Sequence, residues 1–238
     1  MRLSKLFATT CLSISLLALS TTAPAQWQKK PYVEWSEKDV LSILNNSAWG
    51  QAQTVTDTSN MVDTGRRLDS GQSRVTDVPQ TKFYIRFFSA KPIRQAISRL
   101  IELKQKGSLN QQLAAQLKAL AAADFPDYIV ITVVADVSDS SSQMGMAATL
   151  LDRQTTPQLK SETYLSVSGG RRLFLQEYQA PRRDGLGARF VFPRMADGKP
   201  FITSEGVEIL FHSELKGGPT LNLRFTIKNM IFEGKLEY

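Results

Sequence analysis

Cysteine and histidine are almost missing from this chain: one of each stands among 238 residues. A lone cysteine cannot close an intramolecular disulfide, and thiolate-rich zinc sites and iron–sulfur clusters are excluded with it. No serine sits in a Gly-x-Ser-x-Gly setting, so the nucleophile elbow of the hydrolases is not there. No apolar run reaches the length a membrane-crossing helix needs. There is no block of like charges and no internal repeat of solenoid length. What is present is ordinary globular material, 42% hydrophobic and 21% charged, enough to bury a sizeable core.

The first 25 residues read as an address. Arg2 and Lys5 give a basic start, Leu6 to Leu19 is apolar with small interruptions, and Ala23-Pro24-Ala25 offers small residues before a cut ahead of Gln26. An uncleaved anchor is the alternative. Cleavage removes Arg2, Lys5 and the only cysteine, Cys11, and lowers the net charge from +7 to +5. The expected mature chain is therefore cysteine-free, basic and exported, periplasmic or extracellular, in the style of a bacterial protein, with no membrane span left. Its stability must come from its core.

Residues 26–57 read as a lead-in, a helix and a short strand. Ser36-Glu37-Lys38-Asp39 is a helix start: the Ser36 hydroxyl can accept from the Asp39 amide, and acids suit a first turn. Val40, Leu41, Leu44 and Ala48 follow at helical spacing, and Asn45-Asn46 predicts the end. Trp27, Trp35 and Trp49 all fall in this part. Trp35 and Trp49 are expected to pin the helix to the body, with stacking on a sugar or partner as the exposed alternative. A strand is expected near Ala52–Thr56. Residues 58–80 lack any period and predict a flexible polar loop.

Residues 81–238 read as an α+β body that forms one globular domain with 26–57. A strand over Lys82–Phe88 leads to Lys91-Pro92-Ile93, where proline suits a first helical turn. Ile93, Ala96, Ile97, Leu100 and Ile101 keep a 3.6 period to Gly107. Ser108, with Gln111 three residues on, predicts the cap of a second helix whose stripe is Leu109, Leu113, Leu117 and Leu120. The two make a helical hairpin packed on a sheet. Asp127–Val137 is a β-branched run expected to be covered on both faces. A short helix is expected over Gly145–Asp152. An antiparallel β-meander follows: Thr163–Val167 turns at Gly169-Gly170 into Arg172–Tyr178, Asp197-Gly198 makes a further turn, and Gly217-Gly218 separates Val207–Leu215 from Leu221–Lys228. The apolar parity shifts near Asn229, and 230–238 predicts a docked terminal strand with Met230, Phe232, Leu236 and Tyr238 inward.

Three constellations bear chemistry. Asp136-Val137-Ser138-Asp139-Ser140 leaves an apolar strand and resembles the metal-ion adhesion motif of von Willebrand factor A domains. Over about a dozen residues, that resemblance implies Asp136, Ser138 and Ser140 as oxygen ligands for Mg²⁺ or Mn²⁺, on a sheet of parallel strands alternating with helices. The residues by themselves read as a Ser/Asp-rich exit turn, because these side chains bond their own backbone, and the hairpins downstream depart from that family. Second, Glu208, Leu210, His212 and Glu214 share a strand face, which reads as a solvated polar face or as a proton-shuttling or metal-binding one. Third, Arg171-Arg172 and Arg182-Arg183 are candidates for anion binding. The scattering of the basic residues and the leader both argue against nucleic acid as a partner. No cofactor and no catalytic residue is assigned. The expected role is an exported non-catalytic protein that binds a partner, either an envelope protein or an anionic envelope polymer. The alternative is an extracytoplasmic hydrolase, metal-dependent or carboxylate-based.

Overall fold

The computed structural model describes residues 26–56, 80–105, 107–137 and 149–238. The leader 1–25, Ser138, Ser140 and all of the polar stretch 58–80 except Gln80 lie outside these residues, as does the first half of the helix expected over Gly145–Asp152, of which 149–152 are helical.

Helix α1 (Glu37–Asn45) starts at a reciprocal cap, the Ser36 hydroxyl accepting from the Asp39 amide while the Asp39 carboxylate accepts from the Ser36 amide. Asn46 ends it. The chain then turns so tightly into β1 (Gly50–Thr56) that a Cβ on Gly50 would lie 2.3 Å from the Leu44 carbonyl oxygen. Strand β2 (Gln80–Phe87) leads through Phe88–Ala90 into α2 (Lys91–Lys104), which has proline in its first turn, and α3 (Gln111–Ala122) follows. The cap of α3 is Asn110, whose side chain accepts from Leu113; Ser108 instead donates to the Gln105 carbonyl. The expected cap was thus displaced by two residues, and Leu109 is exposed, leaving Leu117 and Ala121 as the buried positions of α3.

Strands β3 (Tyr128–Val137), β4 (Thr163–Val167), β5 (Arg172–Phe174), β6 (Glu177–Gln179), β7 (Ala188–Pro193), β10 (Glu208–Glu214) and β11 (Thr220–Thr226) build two antiparallel sheets. The five-stranded sheet runs β1-β2-β3-β7-β6 and the four-stranded sheet β11-β10-β4-β5. Two short hairpins complete the set, β8 (Met195–Ala196) with β9 (Lys199–Pro200), and β12 (Ile231–Phe232) with β13 (Lys235–Leu236). The fold is α+β with antiparallel sheets. The stretch expected as one strand, Arg172–Tyr178, is two: β5 belongs to the four-stranded sheet, and after Leu175-Gln176 the chain joins the other sheet, where Gln176 donates to Val191.

Alternation sorts the side chains. Phe83, Ile85 and Phe87 of β2 lie beside Ala135, Val133 and Ile131 of β3, which lie beside Ala188 and Phe190 of β7. This inner face meets Leu165, Ile209, Phe211 and Phe225 of the four-stranded sheet, with Phe87 edge-on to Phe225 at 4.9 Å and Phe190 edge-on to Phe211 at 5.4 Å. The sandwich is closed along one side by glutamines. Gln53 of β1 accepts from the Asn222 amide and donates to the Thr220 carbonyl, and Gln51 donates to the Arg224 carbonyl, so the free edge of β11 is satisfied by side chains.

Helix α1 touches β1 and β2, and α2 lies between α1 and α3. The first half of α2 is enclosed on all sides, so Arg94 is buried as well as Ile93 and Ala96. Arg94 donates to the carbonyls of Ser89 and Ala123, and burial pushes its guanidinium below its usual pKa. The terminal segment docks here as a hairpin rather than a single strand. Glu233 and Gly234 take positive φ (49° and 76°) at its turn, and Met230, Phe232 and Tyr238 are buried. Its Glu237 carboxylate accepts from the Lys91 amide, supplying the cap that Ala90 cannot, and the Trp49 indole donates to the Glu237 carbonyl at 2.8 Å. Trp27 packs edge-on to Trp35 and Trp49, with ring centroids 5.3 and 6.3 Å away, and stacks on Phe232. The three tryptophans are therefore core, as expected of Trp35 and Trp49.

Candidate functional site

The structure does not gather the described candidate residues at one point. Asp136 is exposed near the end of β3, opposite Lys82, and accepts from the Tyr84 hydroxyl at 3.4 Å. Strand β3 is antiparallel to both neighbours, so the parallel sheet implied by the von Willebrand resemblance is not the setting of Asp136. Among the described residues no group of three His, Cys, Asp or Glu side chains is disposed to hold a metal ion.

The arginine pairs separate too. Arg182 and Arg183 are exposed in the loop between β6 and β7, on the five-stranded sheet. Arg171 and Arg172 begin the second arm of the β4–β5 hairpin, on the other sheet. Arg171 folds over the Phe201 ring at 5.0 Å and donates to the Phe201 carbonyl. Arg172 takes the outer face of the four-stranded sheet.

That outer face carries an organised group of side chains turned to solvent. Tyr164 of β4 stands directly between Phe174 of β5 and His212 of β10 in the strand register. Its ring stacks on the His212 imidazole, centroids 4.7 Å apart and planes 23° apart, and meets the Phe174 ring edge-on at 5.8 Å. The Arg172 guanidinium lies over the Tyr164 ring, 4.3 Å from its centroid. Phe174, which alternation turns outward beside Arg172, keeps 46% of its surface exposed. The acids of this face are engaged: Glu214 lies 3.5 Å from His212 Nε2, and Glu208 lies 3.5 Å from Arg224. Among the described residues Arg172 has no carboxylate partner.

Sequence reasoning placed His212 and Arg172 on candidate lists but missed Tyr164 and Phe174. A signal existed: in Arg172-Leu173-Phe174-Leu175, strand parity puts Phe174 on the arginine's side, away from the two leucines. Glu208, His212 and Glu214 do share a face, yet the first is drawn to Arg224 and the other two to each other, so the trio does not converge. Chemically, the face offers a permanently charged planar donor, a histidine held by ring stacking and an exposed phenyl edge. It holds no activated nucleophile and no facing carboxylate pair among the described residues. No protein-family model, no curated protein and no solved structure matches the chain.

Proposed function

We propose that this is an exported, non-catalytic binding protein that takes an anionic sugar polymer of the cell envelope on the outer face of the four-stranded sheet. The observation that carries this reading is the Arg172–Tyr164–Phe174 group. Arginine keeps its charge at any physiological pH and presents a rigid fork of donors suited to carboxylate and phosphate oxygens. Lying over Tyr164, the fork gives up less freedom when it binds. The exposed Phe174 supplies an apolar surface for the C–H face of a sugar ring. A broad sheet face suits an extended chain; small ligands are ordinarily held in concavities. Glu208 and Glu214, the acids that would repel a polyanion, each have a cationic or titratable partner.

The test is co-sedimentation of the purified protein with isolated cell-wall sacculi and, separately, with polygalacturonate. Binding is expected to weaken as salt rises, because charge attraction is screened. Arg172→Glu and Phe174→Ser are expected to abolish it without unfolding the protein. Binding that survives both substitutions, or no binding to either polymer, overturns the reading. Export is tested separately: protein recovered outside the cytoplasm is expected to begin at Gln26, and a chain still starting at Met1 contradicts it.

A further inference from the structure

The outer face of the five-stranded sheet holds a cleft of about 320 Å³ where β3, β7 and β6 run side by side. Phe88, Phe125 and Tyr128 give it an aromatic wall, and Glu177, Gln179 and Arg189 give it a polar one. Phe88 and Phe125 brace each other edge-on at 5.7 Å, and Phe125 is backed by the buried Arg94 guanidinium. These two rings are therefore a fixed part of the fold, with the exposed Tyr128 beside them.

The two opposite charges of this cleft do not meet. One Nη of Arg189 is held by Asp184. The other is shut off from solvent and has no acceptor among the described residues. A buried donor in that state is costly, and a turn of the Arg189 side chain, 14% exposed and lining the cleft, is what offers it to an acceptor there. Glu177 accepts from the Gln179 side-chain amide at 3.0 Å and joins no ion pair among the described residues. In the strand register Glu177 faces Val191, two residues along β7 from Arg189. Arg189 and Glu177 are thus diagonal neighbours on one face, a spacing of roughly 7–8 Å.

We propose that this cleft binds a free α-amino acid with a large apolar side chain. Its carboxylate accepts from Arg189, its ammonium donates to Glu177, and its side chain lies against Phe88, Phe125 and Tyr128. The charge count favours a zwitterion over a plain acid or amine: Arg189, Asp184 and Glu177 together carry one net negative charge, so a bare carboxylate is repelled, and a bare amine leaves the arginine fork unanswered. The size agrees, since small-molecule sites run from about 300 to 1,000 Å³ and this cleft is at the lower bound. The site is remote in the fold from the Tyr164 face, on the other sheet, and does not depend on what that face binds.

Titration calorimetry of the purified protein with L-phenylalanine, 3-phenylpropionate and phenethylamine tests it. Phenylalanine is expected to bind, and the two compounds that each lack one charge to bind roughly tenfold weaker or worse. Glu177 is exposed, so Glu177→Gln leaves the fold intact; it is expected to bring phenylalanine down to the level of 3-phenylpropionate. Arg189→Gln is expected to weaken phenylalanine roughly 10- to 100-fold. Should Arg189→Gln fail to fold, Glu177→Gln and Tyr128→Ala decide the question, both altering exposed side chains of the cleft. No heat with phenylalanine at roughly 10 mM, where a complex of millimolar Kd is still detected, overturns the proposal. So does equal binding of the three compounds, or a Glu177→Gln protein that keeps its preference for the zwitterion.

Discussion

Two of the regions where aromatic rings and arginines meet in this molecule differ in what surrounds them. At the helical end Trp27, Trp35, Trp49 and Phe232 are buried, and their polar neighbours are tied down: the Trp35 indole donates to the Trp27 carbonyl, the Trp49 indole to Glu237, and Arg194 both donates to the Tyr238 carbonyl and lies 3.9 Å over its ring. On the outer face of the four-stranded sheet the same residue types, Arg172, Tyr164 and Phe174, remain in contact with solvent. The first group lost its water and contributes stability. The second kept it, and in the proposed reading it is the surface that binds. Burial, rather than residue type, separates the two roles.

Deleting residues 231–238 gives the largest expected effect. It removes two buried side chains, Phe232 and Tyr238, together with the Glu237 carboxylate on the first turn of α2 and the acceptor of the Trp49 indole. Each large apolar side chain contributes about 1.5–3 kcal/mol, against the roughly 5–15 kcal/mol by which whole proteins are stable. The truncated protein is expected to unfold or become insoluble; a thermal melt within a degree or two of the parent shows that the tail is not core. Trp49→Ala comes next, with an expected loss of about 3–5 kcal/mol in denaturant unfolding for a fully buried ring.

Acid lowers stability by a smaller step. Ser36, through its hydroxyl and then its amide, holds the Asp39 carboxyl below the ordinary aspartate range. A depressed folded value means the folded state favours the carboxylate. That contribution is present above the ordinary value, near about 4, and is lost as pH falls through the lowered one. Melting temperatures between pH 6 and pH 2 are expected to fall less steeply in Ser36→Ala than in the parent, and parallel curves contradict the cap as a source. Smallest of all, Arg172→Glu and Phe174→Ser are expected to change stability by no more than about 0.5 kcal/mol while removing polymer binding. A large loss of stability in either variant would place that face with the core and dissolve the contrast.

Features written within a few neighbouring residues were legible in the sequence. The Ser36–Asp39 cap, Pro92 in the first turn of α2, the Gly169-Gly170 and Asp197-Gly198 turns and the odd-numbered apolar face of β11 all depend on residues four or fewer apart. Errors arose where two local solutions competed or where distant partners decided. Ser108 and Asn110 both suit a cap, and two residues of chain settle it. Glu233-Gly234 reads as one more polar pair in an alternating run, yet it is a turn. Nothing local marks Leu175-Gln176 as the crossing between sheets, because the switch is set by pairing with β7. The candidate site was legible only as parity: Arg172 and His212 faced outward on their strands, but that Tyr164 stands between Phe174 and His212 follows from pairing across 10 and 48 positions of chain.

The central claim, that the solvent-facing aromatic and arginine group binds while the buried one holds the fold, is met most directly by mapping backbone amide chemical shifts during titration with polygalacturonate. Changes are expected along β4, β5 and β10, centred on Tyr164, Arg172 and His212, and none at Trp27, Trp35 or Trp49. Shifts concentrated in the tryptophan cluster, or spread evenly over the basic side chains of the surface, would contradict it.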